Sequence, residues 1–358
     1  MTGRAANLSD TGHDTESELW PSDGFERVAG CPVCGCDQRA TVYRHLTDSI
    51  FHCAPGSWEL HRCDRCKSCY LDPRPSPEKI HLAYARYFTH ADPGTSREER
   101  PVGLRRLRRS FANGYRNWRY GTKEFPATAL GVWAILAFPR ARRLVDSSMR
   151  FVPRAFAGAR LLDVGAGNGA YLLSVRSAGW EIVGVEPDPA AAAVARRARL
   201  DVREGNIHSL QGAEGSFDVI TMNHVIEHVH EPRTVLSEAF RLLRPGGILY
   251  LETPNIESRG HRRFGRHWRG LEPPRHLVLF TWNSLEVLLR EIGFAKIERR
   301  RRSGVYAPLA ATSRALELGT GIVGRSQVLG AVVDTLVEFR TSFNYRQSEY
   351  VTLLAKKC

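Results

Sequence analysis

The sequence lacks a long uninterrupted hydrophobic run. Its longest near-apolar stretch, residues 125–138, has only 14 residues and contains a proline, whereas a bilayer-spanning helix needs about 20 residues. The first 17 residues are polar and of mixed charge, and they do not have the apolar centre of a secretory signal peptide. We therefore expect a cytoplasmic protein, either free or attached to the inner face of the membrane.

Lysine is scarce, although the chain is strongly basic. Only six of the 51 basic residues are lysines, and the 38 acidic residues leave a net charge of +13. Such a surplus favours a polyanionic partner, which can be nucleic acid, a nucleotide-linked substrate or an anionic membrane. The composition, with 42% hydrophobic and 25% charged residues, is that of a folded protein and excludes a disordered or fibrous chain.

Cysteine is almost absent outside one segment, since seven of the eight cysteines lie between residues 31 and 69. Two CxxC pairs, separated by 28 residues, can each place two thiolates on a tight turn, and zinc prefers four such ligands in a tetrahedron. A redox pair is the alternative reading of CxxC. Three further thiols, Cys36, Cys53 and Cys69, leave the ligand set open. The predicted structural zinc ligands are Cys31, Cys34, Cys63 and Cys66.

A glycine-rich turn follows an apolar strand in the C-terminal half of the chain. Residues 161–169 read LLDVGAGNG and precede a helical stretch, and the next strand ends at Glu186. The glycines allow a ligand to approach the backbone, and the helix N-terminus favours a carboxylate or phosphate. A carboxylate at the position of Glu186 can accept hydrogen bonds from both ribose hydroxyls. The pattern predicts a nucleoside-containing cofactor.

This stretch, with VGVEPD at residues 183–188, resembles the signature of class I S-adenosylmethionine-dependent methyltransferases. A Rossmann-like fold that uses another cofactor is the alternative. The resemblance implies that the methionine end of the donor lies at the turn, the ribose at Glu186 and the adenine at 205–207, where Asn206 replaces the family's usual Asp. The implied cofactor-binding residues are Asp163, Gly165, Gly167, Gly169, Glu186, Asn206, Ile207 and Asn223.

The resemblance also implies an α/β fold with a seven-stranded sheet that closes with an antiparallel pair, Lys296–Arg299 and Tyr350–Leu354. We expect a disordered tail at residues 1–25, a zinc-ribbon-like domain at 26–77, a helical connector at 78–155 and a methyltransferase domain at 156–358 with an insertion at about 303–348. Within the connector, residues 104–119 form a basic amphipathic pattern. The insertion, together with this helix and the 125–138 segment, can rest on a membrane surface; the alternative is that the helices are ordinary buried ones.

A loop with three ionisable residues follows the predicted fourth strand, where the family places the transferred methyl group. His224, Glu227 and His228 are spaced to share one face of a helix. Three uses remain open: His224 removes a proton from a hydroxyl, the three side chains bind a divalent metal, or they brace a helix. The ubiquinone-pathway O-methyltransferases, which this stretch resembles, have a metal-binding Glu where His224 lies.

The segment at residues 252–280 is rich in Arg, His and Trp and leaves the sheet edge at which α/β proteins bind ligands. Trp and guanidinium groups suit a sugar or a phosphate, although a solvated basic loop would have the same composition. His276, with Arg275 and Trp268, belongs to this segment and is a fourth candidate catalytic residue. The segment and the N-terminal CPVCG and DPRP stretches resemble methyltransferases of polysaccharide and secondary-metabolite pathways.

We therefore predict methyl transfer from S-adenosylmethionine to an oxygen of a sugar, a glycan precursor or a related small molecule. Three alternatives remain: ribosomal-RNA methylation, which the basic charge suits; C-methylation of a nucleotide-linked ketosugar; and a catalytically inactive binding protein. The missing Asn/Asp-Pro-Pro-Tyr motif counts against methylation of a base amine.

Overall fold

The structure is a computed structural model that describes residues 20–85, 103–319 and 345–358. The N-terminal part, which we call the cysteine domain (residues 20–85), contains five short strands. They are β1 (Phe25–Glu26), β2 (Arg39–Leu46), β3 (Trp58–Cys63), β4 (Cys69–Leu71) and β5 (Arg74–Pro75). Strands β2, β3 and β4 are antiparallel neighbours, and β1 pairs with β5.

A helical connector follows, with α1 (Gly103–Tyr120), α2 (Leu130–Ala137) and α3 (Pro139–Ser148). Helices α1 and α2 approach closely because glycines lie at the contact. A Cβ added at Gly114 would lie 2.0 Å from the carbonyl oxygen of Thr128, and one added at Gly131 would lie 2.4 Å from that of Phe111. Larger residues at these two positions would push the helices apart.

The C-terminal part, the α/β domain (residues 160–319 and 345–358), is built on a seven-stranded sheet in the order β12-β13-β10-β9-β6-β7-β8. Its strands are β6 (Arg160–Val164), β7 (Glu181–Glu186), β8 (Val202–Glu204), β9 (Phe217–Asn223), β10 (Leu243–Pro254), β12 (Phe294–Arg299) and β13 (Tyr350–Lys357). Within this sheet β13 runs in the direction opposite to the other six strands. This confirms the α/β seven-stranded fold and the closing antiparallel pair.

Helices cover both faces of this sheet, as the buried apolar runs of its central strands require. They are α4 (Ala170–Ser177), α5 (Pro189–Arg197), α6 (Pro232–Leu242), α7 (Arg259–Phe264), α8 (Trp282–Ile292) and α9 (Tyr306–Leu318). Local sequence fixes several of their ends. Helix α8, for example, begins with a capping box in which Thr281 and Ser284 bond each other's backbone N–H.

The cysteine domain shares a sheet with the α/β domain. The expected domain boundary at residue 77 assigns no later strand to the sheet of the cysteine domain. A two-residue strand, β11 (Val278–Leu279), pairs with β4 and completes the order β11-β4-β3-β2. The 255–277 segment, between β10 and β11, therefore runs from one sheet to the other. We call the contact between the two domains the seam.

Two other expected boundaries change. The predicted tail of residues 1–25 is too long, because Trp20 is buried against Trp58 with ring centroids 5.3 Å apart and Phe25 begins β1; residues 1–19 lie outside the described part. Of the predicted 303–348 insertion, the structure describes residues 303–319, which contain α9, and residues 345–348. Among the described residues, no helix has the length and apolar composition of a bilayer span.

Candidate active site

The glycine-rich turn lies between β6 and α4 and is held by the neighbouring strand β7. The Gly167 N–H donates to Glu186 Oε2 at 2.7 Å, and the second oxygen of Glu186 accepts from Asp188 N–H at 3.0 Å. Gly165 and Gly169 have φ of +71° and +83°, which side chains with a Cβ rarely adopt. Burial raises the pKa of Glu186. The turn and its carboxylate thus form one unit, as their spacing predicts.

Asp163, at the end of β6, is fully buried beside a positive charge. Arg150 donates to Asp163 and, at 3.0 Å, to Thr221 Oγ1, and its guanidinium lies 3.6 Å from the ring centre of Tyr171. Asp163 Oδ2 and the Tyr171 hydroxyl are buried and have no hydrogen-bond partner within the described residues. A buried acceptor without a partner is costly, so an ammonium group bound here would satisfy it.

The other predicted cofactor residues occupy the same edge of the sheet. Asn206 accepts from His208 N–H at 3.0 Å and caps a short 3-10 turn, in which Ile207 is buried. Asn223 accepts a 3.3 Å hydrogen bond from the Tyr250 hydroxyl at the end of β9. The Asp usual in the family is therefore not needed for this turn, because the Asn side chain caps it equally well.

The loop after β9 brings His224 and Glu227 together beside the glycine-rich turn. A Cβ at Gly165 would lie 2.6 Å from the Val225 side chain, so the loop contacts the turn directly. His224 has a φ of +54°, a strained backbone of the kind found at functional sites. Its Nδ1 lies 3.1 Å from Glu227 Oε1. Burial alone would raise the pKa of Glu227, but this histidine outweighs it and holds the pKa at about 2.

The second ring nitrogen of His224 faces a carboxylate that already has partners. His224 Nε2 lies 3.7 Å from Glu252 Oε1, which also contacts Arg302, while Glu252 Oε2 accepts from Thr352 at 2.8 Å. Glu227 Oε2 accepts from the Thr253 hydroxyl at 2.9 Å. The side chain of His224 is about one-third exposed, whereas both carboxylates are buried. The two buried carboxylates thus orient the His224 ring, and the part of the ring that they do not contact is accessible to solvent.

His228 and His276 complete a group that we call the histidine cluster (His224, Glu227, His228 and His276). Their rings pack edge to face, 4.8 Å apart. His228 Nδ1 lies 2.9 Å from the Tyr84 hydroxyl and 3.1 Å from the Arg275 carbonyl, and His276 Nδ1 lies 2.8 Å from the Gly270 carbonyl. Burial lowers the pKa of His276 to about 4. His276 is therefore neutral at pH 7.

The spacing of His224, Glu227 and His228 predicts one helix face, and the structure corrects this expectation. These residues do not share a helix face, because His224 has left-handed backbone and only Ile226–His228 form a 3-10 turn. The structure instead places donor atoms of Glu227, His228 and His276 within 4.8 Å of one another. The carbonyl contacts at both Nδ1 atoms leave each Nε2 as a potential ligand, the usual arrangement around a metal.

An ion pair network without solvent contact joins the two domains next to the cluster. Arg275 is fully buried, and its guanidinium donates to Asp48 at 2.5 and 3.1 Å, to Glu272 at 3.1 Å and to the Ala83 carbonyl at 2.8 Å. Burial alone would raise the pKa of Asp48, but the guanidinium holds it at about 2. Glu272 also lies 3.8 Å from His276.

Arg275 and Trp268 both have partners inside the protein, and the Trp268 side chain also borders a cavity at the seam. Arg275 joins the two domains through its ion pairs. Trp268 is buried and donates its indole N–H to Glu349 at 3.0 Å. A cavity of about 310 Å³ does open at the seam. Its polar lining includes His45, Thr47 and Ser49 from the cysteine domain and Arg266, His267 and Glu272 from the 255–277 segment. Glu272 thus borders both the cavity and the histidine cluster.

The four predicted zinc ligands lie together in the cysteine domain. Cys31 Sγ is 3.5 Å from Cys66 Sγ, and Cys34 Sγ is 3.5 Å from Cys63 Sγ. A tetrahedral zinc with Zn–S bonds of about 2.3 Å separates its sulfurs by about 3.8 Å. Both CxxC turns have the same backbone: the carbonyls of Cys31 and Cys63 accept from Gly35 and Lys67, which have positive φ.

The three further thiols do not join this group. Cys36, Cys53 and Cys69 contribute no sulfur to the four-cysteine cluster. Burial raises the pKa of Cys69 to about 12, which keeps this thiol protonated and unreactive. The geometry therefore fits a zinc ion held by Cys31, Cys34, Cys63 and Cys66, which would leave no coordination position open for catalysis.

Comparison with known proteins agrees with this geometry. Residues 137–299 match a family model described as a methyltransferase domain. This segment is a methyltransferase domain. Over 101 residues the chain is 37% identical to a probable S-adenosylmethionine-dependent methyltransferase of Mycolicibacterium smegmatis, which covers 28% of this chain and 39% of the relative. The glycine-rich turn, Asp163 and Glu186 all lie inside the methyltransferase domain.

Other relatives have more specific names. Ubiquinone biosynthesis O-methyltransferases of Xanthomonas oryzae and Cereibacter sphaeroides are 36% and 30% identical over 106 and 160 residues, which is 28% and 41% of this chain and 44% and 65% of those proteins. The chain thus spans between 39% and 65% of the length of these curated relatives. A solved methyltransferase of Archaeoglobus fulgidus aligns with 63% of this chain and 98% of its own, at 21% identity and a TM-score of 0.42.

The methyltransferase domain confirms the family predicted from the glycine-rich turn. Sequence reasoning missed three contacts of the site, which involve Tyr84, Arg150 and Arg275. Tyr84 and Arg150 belong to no recognisable motif, and each reaches the site from a segment more than ten residues away from the residues it contacts. Arg275 belongs to the basic segment at residues 252–280, but its charge partner Asp48 is 227 residues away in the sequence.

Proposed function

We propose that the protein transfers a methyl group from S-adenosylmethionine to a hydroxyl oxygen of a small acceptor, a sugar or glycan precursor, with His224 as the general base. The observation that carries this proposal is the hydrogen bond between His224 and buried Glu227, on a loop that touches the glycine-rich turn. Such a carboxylate–histidine pair is suited to proton removal from a hydroxyl.

When bound, S-adenosylmethionine supplies a methyl group attached to a positively charged sulfur, and therefore a strong electrophile. Asp163 would hold the ammonium of its methionine end, and Glu186 would accept from the ribose hydroxyls. Glu227 would keep the Nδ1–H of His224 in place, and Nε2 would exchange its 3.7 Å approach to Glu252 for the acceptor hydroxyl and receive its proton as the oxygen attacks. The largest contribution would come from holding both reactants in line at near-attack distance.

The choice of acceptor rests on the seam cavity and on the relatives. The cavity is lined by hydroxyl, imidazole and guanidinium groups at Thr47, Ser49, His267 and Arg266, which suit the hydroxyls or phosphate of a sugar derivative. Several relatives are named O-methyltransferases, which favours oxygen over nitrogen. Glu272 lines the cavity and lies 3.8 Å from His276 of the histidine cluster, which supports an acceptor bound on this side of the cluster.

The test is transfer of radiolabelled methyl from S-adenosylmethionine into a host lysate divided into RNA, glycan, nucleotide-sugar and small-molecule pools. We expect label in a glycan or nucleotide-sugar pool, and its loss by a factor of about 10² to 10⁴ for His224→Asn. Binding of S-adenosylhomocysteine should remain. His81→Asn, which removes an exposed histidine of the cysteine domain, is the matched control. Label in RNA would overturn the sugar proposal, and donor binding without any label would indicate a binding protein.

A divalent metal bound by Glu227, His228 and His276 is a second candidate, because their donor atoms converge and both histidines have a carbonyl at Nδ1. A metal ion there would lower the pKa of an acceptor hydroxyl. Elemental analysis separates the candidates. If a metal binds, the wild type holds one equivalent beyond the zinc, and His276→Asn loses it together with activity; if His224 acts alone, the metal content is unchanged.

A further inference from the structure

The helical connector presents large apolar side chains to solvent. The exposed fractions are 62% for Leu104, 49% for Leu107, 70% for Leu130, 74% for Trp133 and 66% for Phe138. Leu130 and Trp133 are three residues apart on α2 and share a face. Side chains of this size are usually buried in a folded domain. A group of five in one short stretch of the fold indicates a contact surface.

The two helices that carry most of these side chains, α1 and α2, pack against each other and are antiparallel. The close contacts pair Phe111 with Gly131 and Gly114 with Thr128, so residue numbers fall along one helix as they rise along the other. Leu104, near the start of α1, and Phe138, which follows α2, therefore lie toward the same end of the helix pair. The five side chains and the three arginines interspersed with them on α1 form what we call the connector patch: Leu104, Leu107, Leu130, Trp133, Phe138, Arg105, Arg106 and Arg108.

The charge of the connector patch has one sign. Helix α1 contains six arginines and no acidic residue, and α3 adds three arginines. The acidic residue of α3, Asp146, accepts hydrogen bonds from the hydroxyls of Tyr115 and Tyr120 at 3.0 and 2.7 Å and belongs to the packed interior of the connector. The exposed arginines therefore attract anions next to an apolar surface.

We propose that the connector patch docks the protein on an anionic lipid bilayer. The aliphatic and aromatic side chains would enter the boundary between headgroups and acyl chains, and Arg105, Arg106 and Arg108 would contact lipid phosphates, as in helices that lie in the membrane interface. RNA offers phosphates and base faces but no apolar layer for Leu104, Leu107 and Leu130. The eight residues of α2 are too few to cross the bilayer.

The experiment is co-sedimentation of the full chain with vesicles of phosphatidylcholine alone or with one-third phosphatidylglycerol. We expect binding to the anionic vesicles that falls with added salt, and little binding to the neutral ones. Trp133→Glu with Leu130→Glu should abolish it. Arg105→Gln, Arg106→Gln and Arg108→Gln together should lower the partition coefficient about a hundredfold, since each arginine near the surface contributes about fivefold.

Val287→Glu is the matched control, because Val287 is also an exposed apolar residue but lies on α8, outside the connector patch. It should bind vesicles as the wild type does. Each variant should bind S-adenosylhomocysteine normally, which shows that it is folded. This control does not depend on the identity of the acceptor. Absence of wild-type binding to anionic vesicles would overturn the proposal. So would retention of binding by Trp133→Glu with Leu130→Glu, or binding to RNA alone.

Discussion

The proposed donor site and the histidine cluster lie side by side but are built differently. The core of the proposed donor site comes from one continuous part of the α/β domain, in which β6, the glycine-rich turn and the end of β7 supply Asp163, the glycines and Glu186. The cluster depends on both domains, because Tyr84 contacts His228 and Asp48 binds Arg275, the residue before His276. Donor binding should therefore be separable from acceptor chemistry.

This difference gives the cysteine domain a role beyond an attached module. Its residues line one side of the seam cavity, the Tyr84 hydroxyl contacts His228, and the Asp48 carboxylate binds Arg275. Its sheet is completed by β11 of the α/β domain. Damage to this domain should impair methyl transfer and acceptor binding while leaving donor affinity nearly unchanged. Damage at the glycine-rich turn should weaken donor binding, and methyl transfer with it, while leaving acceptor binding nearly unchanged. The predictions below test this asymmetry.

The largest effect is expected from loss of the zinc ligands. Cys34→Ser with Cys66→Ser should abolish zinc binding and unfold the cysteine domain, because structural zinc contributes on the order of 10 kcal/mol in small domains. Methyl transfer should fall by more than about a hundredfold, whereas the Kd for S-adenosylhomocysteine should change less than about threefold. Zinc content, thermal unfolding and calorimetric titration measure the three quantities.

Cys36→Ser is the control for this prediction, since Cys36 is a buried thiol of the same domain outside the four-cysteine group. It should retain one equivalent of zinc. If the double variant also kept its zinc, the assigned ligand set would be incorrect. If it lost donor binding as completely as methyl transfer, the two sites would not be separable.

The next effect concerns the buried ion pair at the seam. Arg275→Met should lower the free energy of unfolding by about 3–5 kcal/mol, because it leaves the carboxylates of Asp48 and Glu272 buried without their guanidinium. Arg263→Met removes an exposed partner of Glu317 and should cost about 1 kcal/mol or less. Denaturant unfolding measures both. Equal losses would show that the seam pair contributes no more than a surface pair.

The same contrast explains what the sequence could predict. The glycine-rich turn, Glu186 and the two CxxC pairs are local patterns, and the structure places them as their spacing indicates. The sequence identifies the four residues of the histidine cluster but not their arrangement. A helix is expected to align His224 with Glu227 and His228, and it is absent at these residues because His224 adopts positive φ. Pairing of Arg275 with Asp48 depends on folding across 227 residues, for which no local pattern exists.

A pH dependence is expected on the acceptor side, where Glu349 holds the 255–277 segment. Its oxygens accept from Gly260 N–H at 2.8 Å and Trp268 Nε1–H at 3.0 Å, and burial raises its pKa to about 7 from 4.5. The folded state therefore binds this proton more tightly than the unfolded state. The stabilisation that comes from this tighter proton binding is fully present below pH 4.5 and is lost as the pH rises through 7.

Glu349→Gln should remove this dependence. Relative to the wild type, the variant should gain up to about 3 kcal/mol of stability on going from pH 5 to pH 8. Glu204→Gln, at an exposed glutamate of β8, is the control and should show no such gain. Denaturant unfolding at the two pH values measures the difference; a wild type whose stability rises over this range relative to Glu349→Gln would contradict the prediction.

On the donor side, Glu186→Gln should weaken binding of S-adenosylhomocysteine about tenfold, since a hydrogen bond to a charged acceptor contributes about 1.5 kcal/mol or more. The KM for the acceptor and the stability of the seam should not change. Glu181→Gln, at the exposed start of the same strand, should bind normally. A rise in the acceptor KM without loss of donor affinity would break the separation of the two sites.

The smallest effect tests whether the cysteine domain acts on the cluster through a single hydroxyl. Tyr84→Phe removes the group that lies 2.9 Å from His228 Nδ1, and a neutral hydrogen bond contributes about 1 kcal/mol. We expect kcat to fall about fivefold with a shifted pH profile, and donor affinity to stay constant. Tyr43→Phe removes a similar hydroxyl, 3.0 Å from His261 Nε2 and away from the cluster, and should leave kcat unchanged. Because both variants keep the ring and its packing, a fall in kcat for Tyr84→Phe alone can come only from the lost hydroxyl, whereas equal falls would mean that any loosening of the seam slows the reaction and that Tyr84 has no special position.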